Sequence, residues 1–211
     1  MGPPGAGKGT QGERLEEILD VPRYATGDML RAARRAGTEM GRRAAEYMDA
    51  GELVPDEVIL GIVREALDRP EAADGWVLDG FPRTPAQAEG LTEILDERSE
   101  SLDAVLYLDV PEEELVRRLS GRRVCEDCGL VTHLDDLPEE GDGGRCPDCG
   151  GELVQREDDR PGTVRRRLEV YREQTRPVLS RYRSAEVPVH EVDGTGPVER
   201  VTGRLRERLE A

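Results

Sequence analysis

The chain has 211 residues, 36% of them charged, and a formal net charge of −16. That acidity argues against a general surface for nucleic-acid backbone or anionic lipid, and no apolar run approaches the ~18 residues of a membrane span. The length suits one core-bearing domain with room for inserted subdomains, and the absence of an apolar signal region near the amino end predicts a cytoplasmic location. Lys8 is the single lysine among 30 basic residues, and aromatics make up 3%. With the acidity, this composition predicts a high-salt cytoplasm whose counterions screen self-repulsion. A GC-rich genome would also favour Arg.

The chain opens on Gly2-Pro3-Pro4-Gly5-Ala6-Gly7-Lys8-Gly9-Thr10. Glycines let successive backbone N–H groups line one concave loop, and the helix that follows adds its free N–H groups and positive dipole end. This is a phosphate cradle, with Lys8 reaching the outer phosphates. Gly9 stands where the general pattern has Ser or Thr, so a hydroxyl ligand to magnesium is in doubt. Such a loop also hangs from a buried parallel strand, whereas Met1 alone precedes it. The expectation is a coding start further upstream, with about 5–6 apolar residues. A chain without that strand would be a defective enzyme.

Helical spacing follows over Asp56–Leu67, and an Arg- and Ala-rich helical region runs from Gly27 to Asp49. Trp76-Val77-Leu78 reads as a short strand ending in Asp79-Gly80-Phe81-Pro82-Arg83, and Thr84–Glu97 as helix. The nearly continuous apolar run Ala104–Val110 is the clearest strand, of the kind buried on both faces. Pro111–Leu119 is helical, a long helix spans Pro161–Tyr182, Val187–Val192 is a last strand, and a helix closes the chain. Strands alternating with helices around a phosphate loop predict an α/β fold, a parallel sheet flanked by helices, with ligands at the carboxyl ends of the strands.

Residues 121–158 depart from this composition, with many Gly, Asp, Glu and Pro and few large apolar side chains. All four cysteines lie here, as Cys125-x-x-Cys128 and Cys146-x-x-Cys149, the spacing of a structural zinc site. Two disulfides are the alternative, disfavoured because nothing suggests secretion. Metal binding supplies about 10–16 kcal/mol in small zinc modules and can replace a missing core. A zinc-ribbon module for nucleic acid would share the cysteines, but acidic neighbours such as Asp127, Asp135 and Asp148 oppose it.

In order, the loop, Thr26-Gly27-Asp28-Met29-Leu30-Arg31, Asp79–Thr84, Gly121-Arg122-Arg123, Asp158-Asp159 ahead of Thr163–Leu168, and Val192-Asp193-Gly194-Thr195 resemble the adenylate kinases along essentially the whole chain. The resemblance is to the long form of this nucleoside monophosphate kinase family, whose lid binds zinc, and it makes Gly9 a family marker. It implies a P-loop fold with a core (1–24, 55–120 and 159–211), an AMP-binding segment (25–54) and a zinc-binding lid (121–158). The implied reaction moves the γ-phosphoryl of magnesium ATP to AMP, giving two ADP. A UMP or CMP kinase is the nearest alternative.

The resemblance also implies residue roles. Gly5, Ala6, Gly7, Lys8, Gly9 and Thr10 would hold the ATP phosphates, Arg118 would stack on the ATP base, Gly196 would lie against it, and Arg122 would hold phosphate. Thr26 and Arg31 would contact AMP, with the backbone of Glu52, Leu53 and Val54 closing on its base. Gly80, Phe81, Pro82 and Arg83 would hold AMP further, and Gln87 would read the adenine edge, since an amide offers a donor and an acceptor together. Arg156 and Arg167 would embrace the transferring group, and Asp79 would orient Mg2+ through water. Asp158 and Asp159 would help close the lid or form a simple surface pair. A cis peptide before Pro82 is implied. Cys125, Cys128, Cys146 and Cys149 would hold Zn2+, leaving His133 as a lid surface residue. A monomer is expected.

Overall fold

The computed structural model describes residues 1–137 and 144–210. Glu139, Glu140 and Asp142, part of the expected acidic lid, lie outside the described residues. The elements run in chain order as α1 (Lys8–Leu19), β1 (Arg23–Ala25), α2 (Thr26–Arg35), α3 (Glu39–Ala50), α4 (Asp56–Leu67), β2 (Val77–Asp79), α5 (Pro85–Arg98), β3 (Val105–Asp109) and α6 (Glu112–Gly121). Then come β4 (Arg122–Cys125), β5 (Val131–His133), β6 (Leu153–Val154), α7 (Pro161–Val170), α8 (Arg176–Ser184), β7 (Val189–Asp193) and α9 (Val198–Leu209).

Local chemistry explains the boundaries. The Thr84 side chain accepts a hydrogen bond from the Gln87 backbone N–H, and Pro85 opens α5 with no N–H to lose. Gly51 ends α3 at φ 78°, in the left-handed region that closes helices. The expected Gly27–Asp49 helix is instead two helices, because Gly37 (φ 66°) turns the chain and Thr38 caps α3. The pair then crosses closely: a Cβ on Gly41 would sit 2.2 Å from the Ala33 carbonyl carbon. The expected long helix continues to Ser184, but a π turn at Tyr171–Thr175 separates α7 from α8.

The main strands form two parallel pairs, β1 with β2 and β3 with β7. Helices cover them through three apolar clusters. One gathers α2 to α5 around Ile62, Val63, Leu67 and Leu91. A second joins the phosphate loop to α6, α7 and α9 through Leu108, Leu119, Val164 and Leu205. The third seats α8 against β3, where the Tyr171 hydroxyl donates to that of Tyr107 at 3.1 Å. The remaining strands form a separate antiparallel sheet, β5-β4-β6. Among the described residues its buried cluster is Cys125, Cys146 and Leu153, with Leu130 and Leu137 against it, too little apolar surface to fold unaided.

Candidate active site

The phosphate loop takes its shape from two glycines at φ 83° (Gly5) and 89° (Gly7). At Gly5 a Cβ would lie 2.9 Å from Leu119 Cγ, so no side chain fits. Ala6 is buried beneath the loop, and Gly9 and Thr10 continue into α1, Thr10 exposed. Lys8 bends back so that Nζ donates to the Pro3 carbonyl at 2.8 Å. Burial lowers its pKa to about 7; Asp79 opposes that shift, and Arg83, Arg167 and Arg122 add to it.

Asp79 ends β2 with its carboxylate under the first turns of α1, 3.6 Å from where a Cβ on Gly12 would stand. Its Oδ2 accepts from Arg23 Nη1 at 2.9 Å, and Oδ1 has no hydrogen-bond partner among the described residues. A hard oxygen donor beside a phosphate loop suits magnesium held through its water shell. Nothing about Arg23 stands out in so Arg-rich a sequence. Its guanidinium also lies 3.5 Å from Asp28 and 3.4 Å from Glu13, so it tethers Asp79 within an acidic group.

Arg122, Arg156 and Arg167 converge on two aspartates. Asp159 is fully buried and takes both Nε and Nη2 of Arg122, at 2.7 and 2.6 Å, and Nη1 of Arg167 at 3.0 Å. Asp158 takes Arg156 at 2.8 and 2.7 Å and Arg167 at 3.1 Å. The reading of these aspartates as a surface pair is therefore corrected. Burial pushes the Asp158 carboxyl up, but Arg167 and Arg156 outweigh it and hold the pKa well below the usual carboxylate range. Burial lowers Arg167 to about 10, despite Asp158.

A cavity of about 110 Å³ opens between Lys8 and this hub. Its walls include Thr26, Arg31, Glu52, Leu53, Val54, Gly80, Phe81, Pro82, Arg83, Gln87 and Arg167. The Phe81–Pro82 peptide is cis. The Thr26 hydroxyl donates to the Gly80 carbonyl at 3.2 Å, and Arg83 Nε to the same oxygen at 2.6 Å. Burial lowers the Arg83 and Arg31 pKa values. Gln87 is 2% exposed. Its Nε2 donates to Asp56 at 2.8 Å and its Oε1 accepts from the Arg83 N–H at 2.7 Å, leaving one donor and one acceptor free. Asp56, also unforeseen, fixes the amide orientation. The Glu52 side chain turns away to Arg166 at 2.6 Å.

Arg118 and Gly196 lie on another flank. Arg118 Nε donates to Glu114 at 2.7 Å and Nη2 to the Gly194 carbonyl at 3.1 Å. A Cβ on Gly7 would meet its Nη1 at 4.0 Å. Arg204 holds the Asp193 and Thr195 carbonyls at 2.7 and 2.9 Å, and Gly196 turns at φ 94°. This edge adjoins the phosphate loop at Gly7, and neither Arg118 nor Gly196 lines the Gln87 cavity.

In the small sheet the Sγ atoms of Cys125, Cys128, Cys146 and Cys149 lie within 4.8 Å of one another. Cys125 and Cys149 are 3.5 Å apart and Cys128 and Cys146 3.6 Å, too far for the ~2.05 Å of a disulfide. They are close to the ~3.8 Å edge of a tetrahedron with 2.3 Å zinc–sulfur bonds. Two similar turns make the corners: Gly129 N–H donates to Cys125 O at 3.0 Å and Gly150 N–H to Cys146 O at 2.9 Å. The donor set fits zinc and leaves no open position. His133 is not a free surface residue; its side chain, 19% exposed, lies at the base of the sheet with Nε2 3.3 Å from the Arg117 carbonyl.

A phosphate loop, a half-buried lysine and an arginine cluster around one cavity define a nucleotide-binding phosphotransfer site on an α/β fold. The family model described as "Adenylate kinase" matches residues 1–187. The chain is 51% identical over 210 residues to the adenylate kinase of Archaeoglobus fulgidus, covering 100% of this chain and 96% of that protein. It is 48% identical to that of Thermodesulfovibrio yellowstonii, over 100% of this chain and 97% of the relative. For that of Syntrophobacter fumaroxidans the identity is 46%, over 97% and 95%. The chain belongs to the adenylate kinase family. No helix among the described residues is long and apolar enough to cross a membrane.

Proposed function

We propose that the chain catalyses reversible transfer of the γ-phosphoryl group of Mg-ATP to AMP, giving two ADP. The observation that carries this reading is that Lys8, Arg31, Arg83, Arg167 and Gln87 all line one cavity. Phosphoryl transfer needs in-line positioning and cations around a spreading negative charge rather than an obligatory protein base. Lys8 and the N–H groups of Gly5–Thr10 would hold the ATP phosphates. Arg31 and Arg83 would fix the AMP phosphate, and Arg122, Arg156 and Arg167 would surround the group in transit. Asp79 would hold magnesium through water, and the ion would supply positive charge against the phosphates.

The free donor and acceptor of Gln87 match the adenine edge, and Arg118 and Gly196 would bracket the ATP base. Residues 1–24, 55–120 and 159–211 would form the core, with the 25–54 segment and the 121–158 lid closing to exclude water. Initial rates with AMP, UMP and CMP at one salt concentration test the reading. A clear preference for UMP or CMP would overturn it.

Zinc would be the lid's structural metal. Its removal with a chelator should open residues 121–158 to proteolysis while the core keeps its cooperative transition; an unchanged digestion pattern would count against the metal. We also read the protein as a cytoplasmic monomer without nucleic-acid or membrane partners, needing molar salt. The −16 charge and single lysine support the salt requirement, and full stability at low ionic strength would defeat it.

A further inference from the structure

Asp56, the first residue of α4, does not line the Gln87 cavity but acts on it through Gln87. Its Oδ1 accepts from Gln87 Nε2 at 2.8 Å and from the Thr84 hydroxyl at 3.1 Å. Thr84 Oγ1 in turn accepts from the Gln87 backbone N–H at 3.0 Å, so its own hydrogen is left to point at Asp56. The positive end of the α4 dipole suits a carboxylate at this position. At the other amide atom, Gln87 Oε1 accepts from the Arg83 backbone N–H at 2.7 Å.

Neither partner can change role: a backbone N–H only donates and a carboxylate only accepts. Turning the amide over would set Nε2 against the Arg83 N–H and Oε1 against Asp56. Two hydrogen bonds would be lost at a side chain that is 2% exposed, where little water can replace them. The remaining N–H and lone pair of Gln87 are therefore offered in one fixed order. A 6-aminopurine, with an N1 acceptor and an N6 donor, matches an amide in that order. A 6-oxopurine carries N1–H and O6, the same two positions with donor and acceptor exchanged, and reading it needs the inverted amide.

We infer that Asp56 is a specificity-determining positioning residue: by locking the Gln87 amide it makes the nucleoside monophosphate site reject 6-oxopurine nucleotides such as IMP and GMP. The inference rests on the proposed kinase reading, in which Gln87 reads the AMP base. Asp56 touches no substrate. It acts by making the wrong base leave buried polar groups unpaired, a mismatch that discriminates far better than a misfit of shape.

The test compares calorimetric binding of the 5′-monophosphates of adenosine, inosine and purine riboside. Purine riboside keeps the N1 acceptor and has only hydrogen at C6. Against a locked amide the affinities should fall in the order AMP, purine riboside monophosphate, IMP, because IMP opposes donor to donor and acceptor to acceptor. Against an amide free to turn, IMP would regain two bonds and outrank purine riboside monophosphate; that order in the unaltered chain overturns the inference. Asp56→Ala should raise IMP affinity relative to purine riboside monophosphate by about tenfold. Asp56→Asn, whose Oδ1 can still take both hydrogens, should keep the original order. Affinities that fall together in Asp56→Ala, with their ratio unchanged, would make Asp56 a merely structural residue and also overturn the inference. If Asp56→Ala does not fold, the order in the unaltered chain decides alone. The kinase reading fails separately, on AMP that neither binds nor turns over, whereas the lock fails on the rank of the two analogues with AMP still bound.

Discussion

Two collections of buried charge stand side by side in this protein and are handled in opposite ways. In the hub, Arg122, Arg156 and Arg167 meet Asp158 and Asp159 at 2.6–3.1 Å. At the phosphate loop, Lys8 has no carboxylate within 4.0 Å among the described residues and rests on the Pro3 carbonyl. Paired charges in a low-dielectric interior remain charged, because the Coulomb gain offsets desolvation. An ammonium without a carboxylate partner holds its proton less tightly, and burial accordingly lowers the Lys8 pKa to about 7. The hub thus holds its geometry without ligand, whereas the loop completes its charge only when an anion arrives.

The largest break in this contrast comes from neutralising the hub. Asp159→Asn keeps the shape but leaves Arg122 without its bidentate partner and Arg167 with Asp158 alone. Removing one member of a buried pair costs about 3–5 kcal/mol, so thermal unfolding should fall by several degrees. The variant's hub then resembles the loop, a set of cations in want of an anion. Pyrophosphate should therefore raise its Tm more than it raises that of the unaltered chain. An equal increment in both would mean that the hub arginines do not compete for phosphate.

A smaller effect comes from pH. Asp158 is held below its ordinary pKa, so the unfolded chain binds its proton first as pH falls. The stability it contributes is fully present above the unfolded value near pH 4 and is lost as pH falls towards the folded value. A salt-bridged aspartate of this kind contributes about 2–3 kcal/mol. Asp158→Asn should flatten the acid limb of a Tm-against-pH curve. An acid limb of unchanged slope would place the titrating group elsewhere.

How much of this was legible in the sequence follows the same division. The glycines, Lys8 and the paired cysteines announce themselves because backbone geometry and metal coordination constrain residue type and spacing locally. Helix α4 is readable to its boundaries from the apolar spacing of Val58, Ile59, Ile62 and Val63. The burial of Asp159, the tether from Arg23 to Asp79 and the Asp56–Gln87 bond were not. Each joins residues distant in the chain, and an Asp or Arg in so charged a sequence carries no mark of being inside. The same holds for the sheet: β2, β3 and β7 could be placed one by one, while the pairing of β1 with β2 and of β3 with β7 exists only after folding.

The mildest perturbation tests the loop side of the contrast directly. Between pH 7 and the ordinary lysine value near 10.5, the folded Lys8 is largely neutral while the unfolded lysine is protonated. The unfolded chain then binds more protons, so Lys8 should make stability rise with pH across that window, with a slope on the order of 1 kcal/mol per pH unit near pH 8. A phosphate brought to the loop restores the favourable charge and draws the proton back. Nucleotide binding at pH 8 should therefore take up close to one proton, visible as a dependence of calorimetric binding enthalpy on the ionisation enthalpy of the buffer. The Met1 amine, lowered to about 5, lies too far below pH 8 to supply that uptake unless its pKa rises as well. Lys8→Met should abolish the buffer dependence while leaving the hub pairs in place. If uptake persists in that variant, another group carries the proton; if the unaltered chain shows none, Lys8 is charged before the nucleotide arrives and the contrast between loop and hub fails.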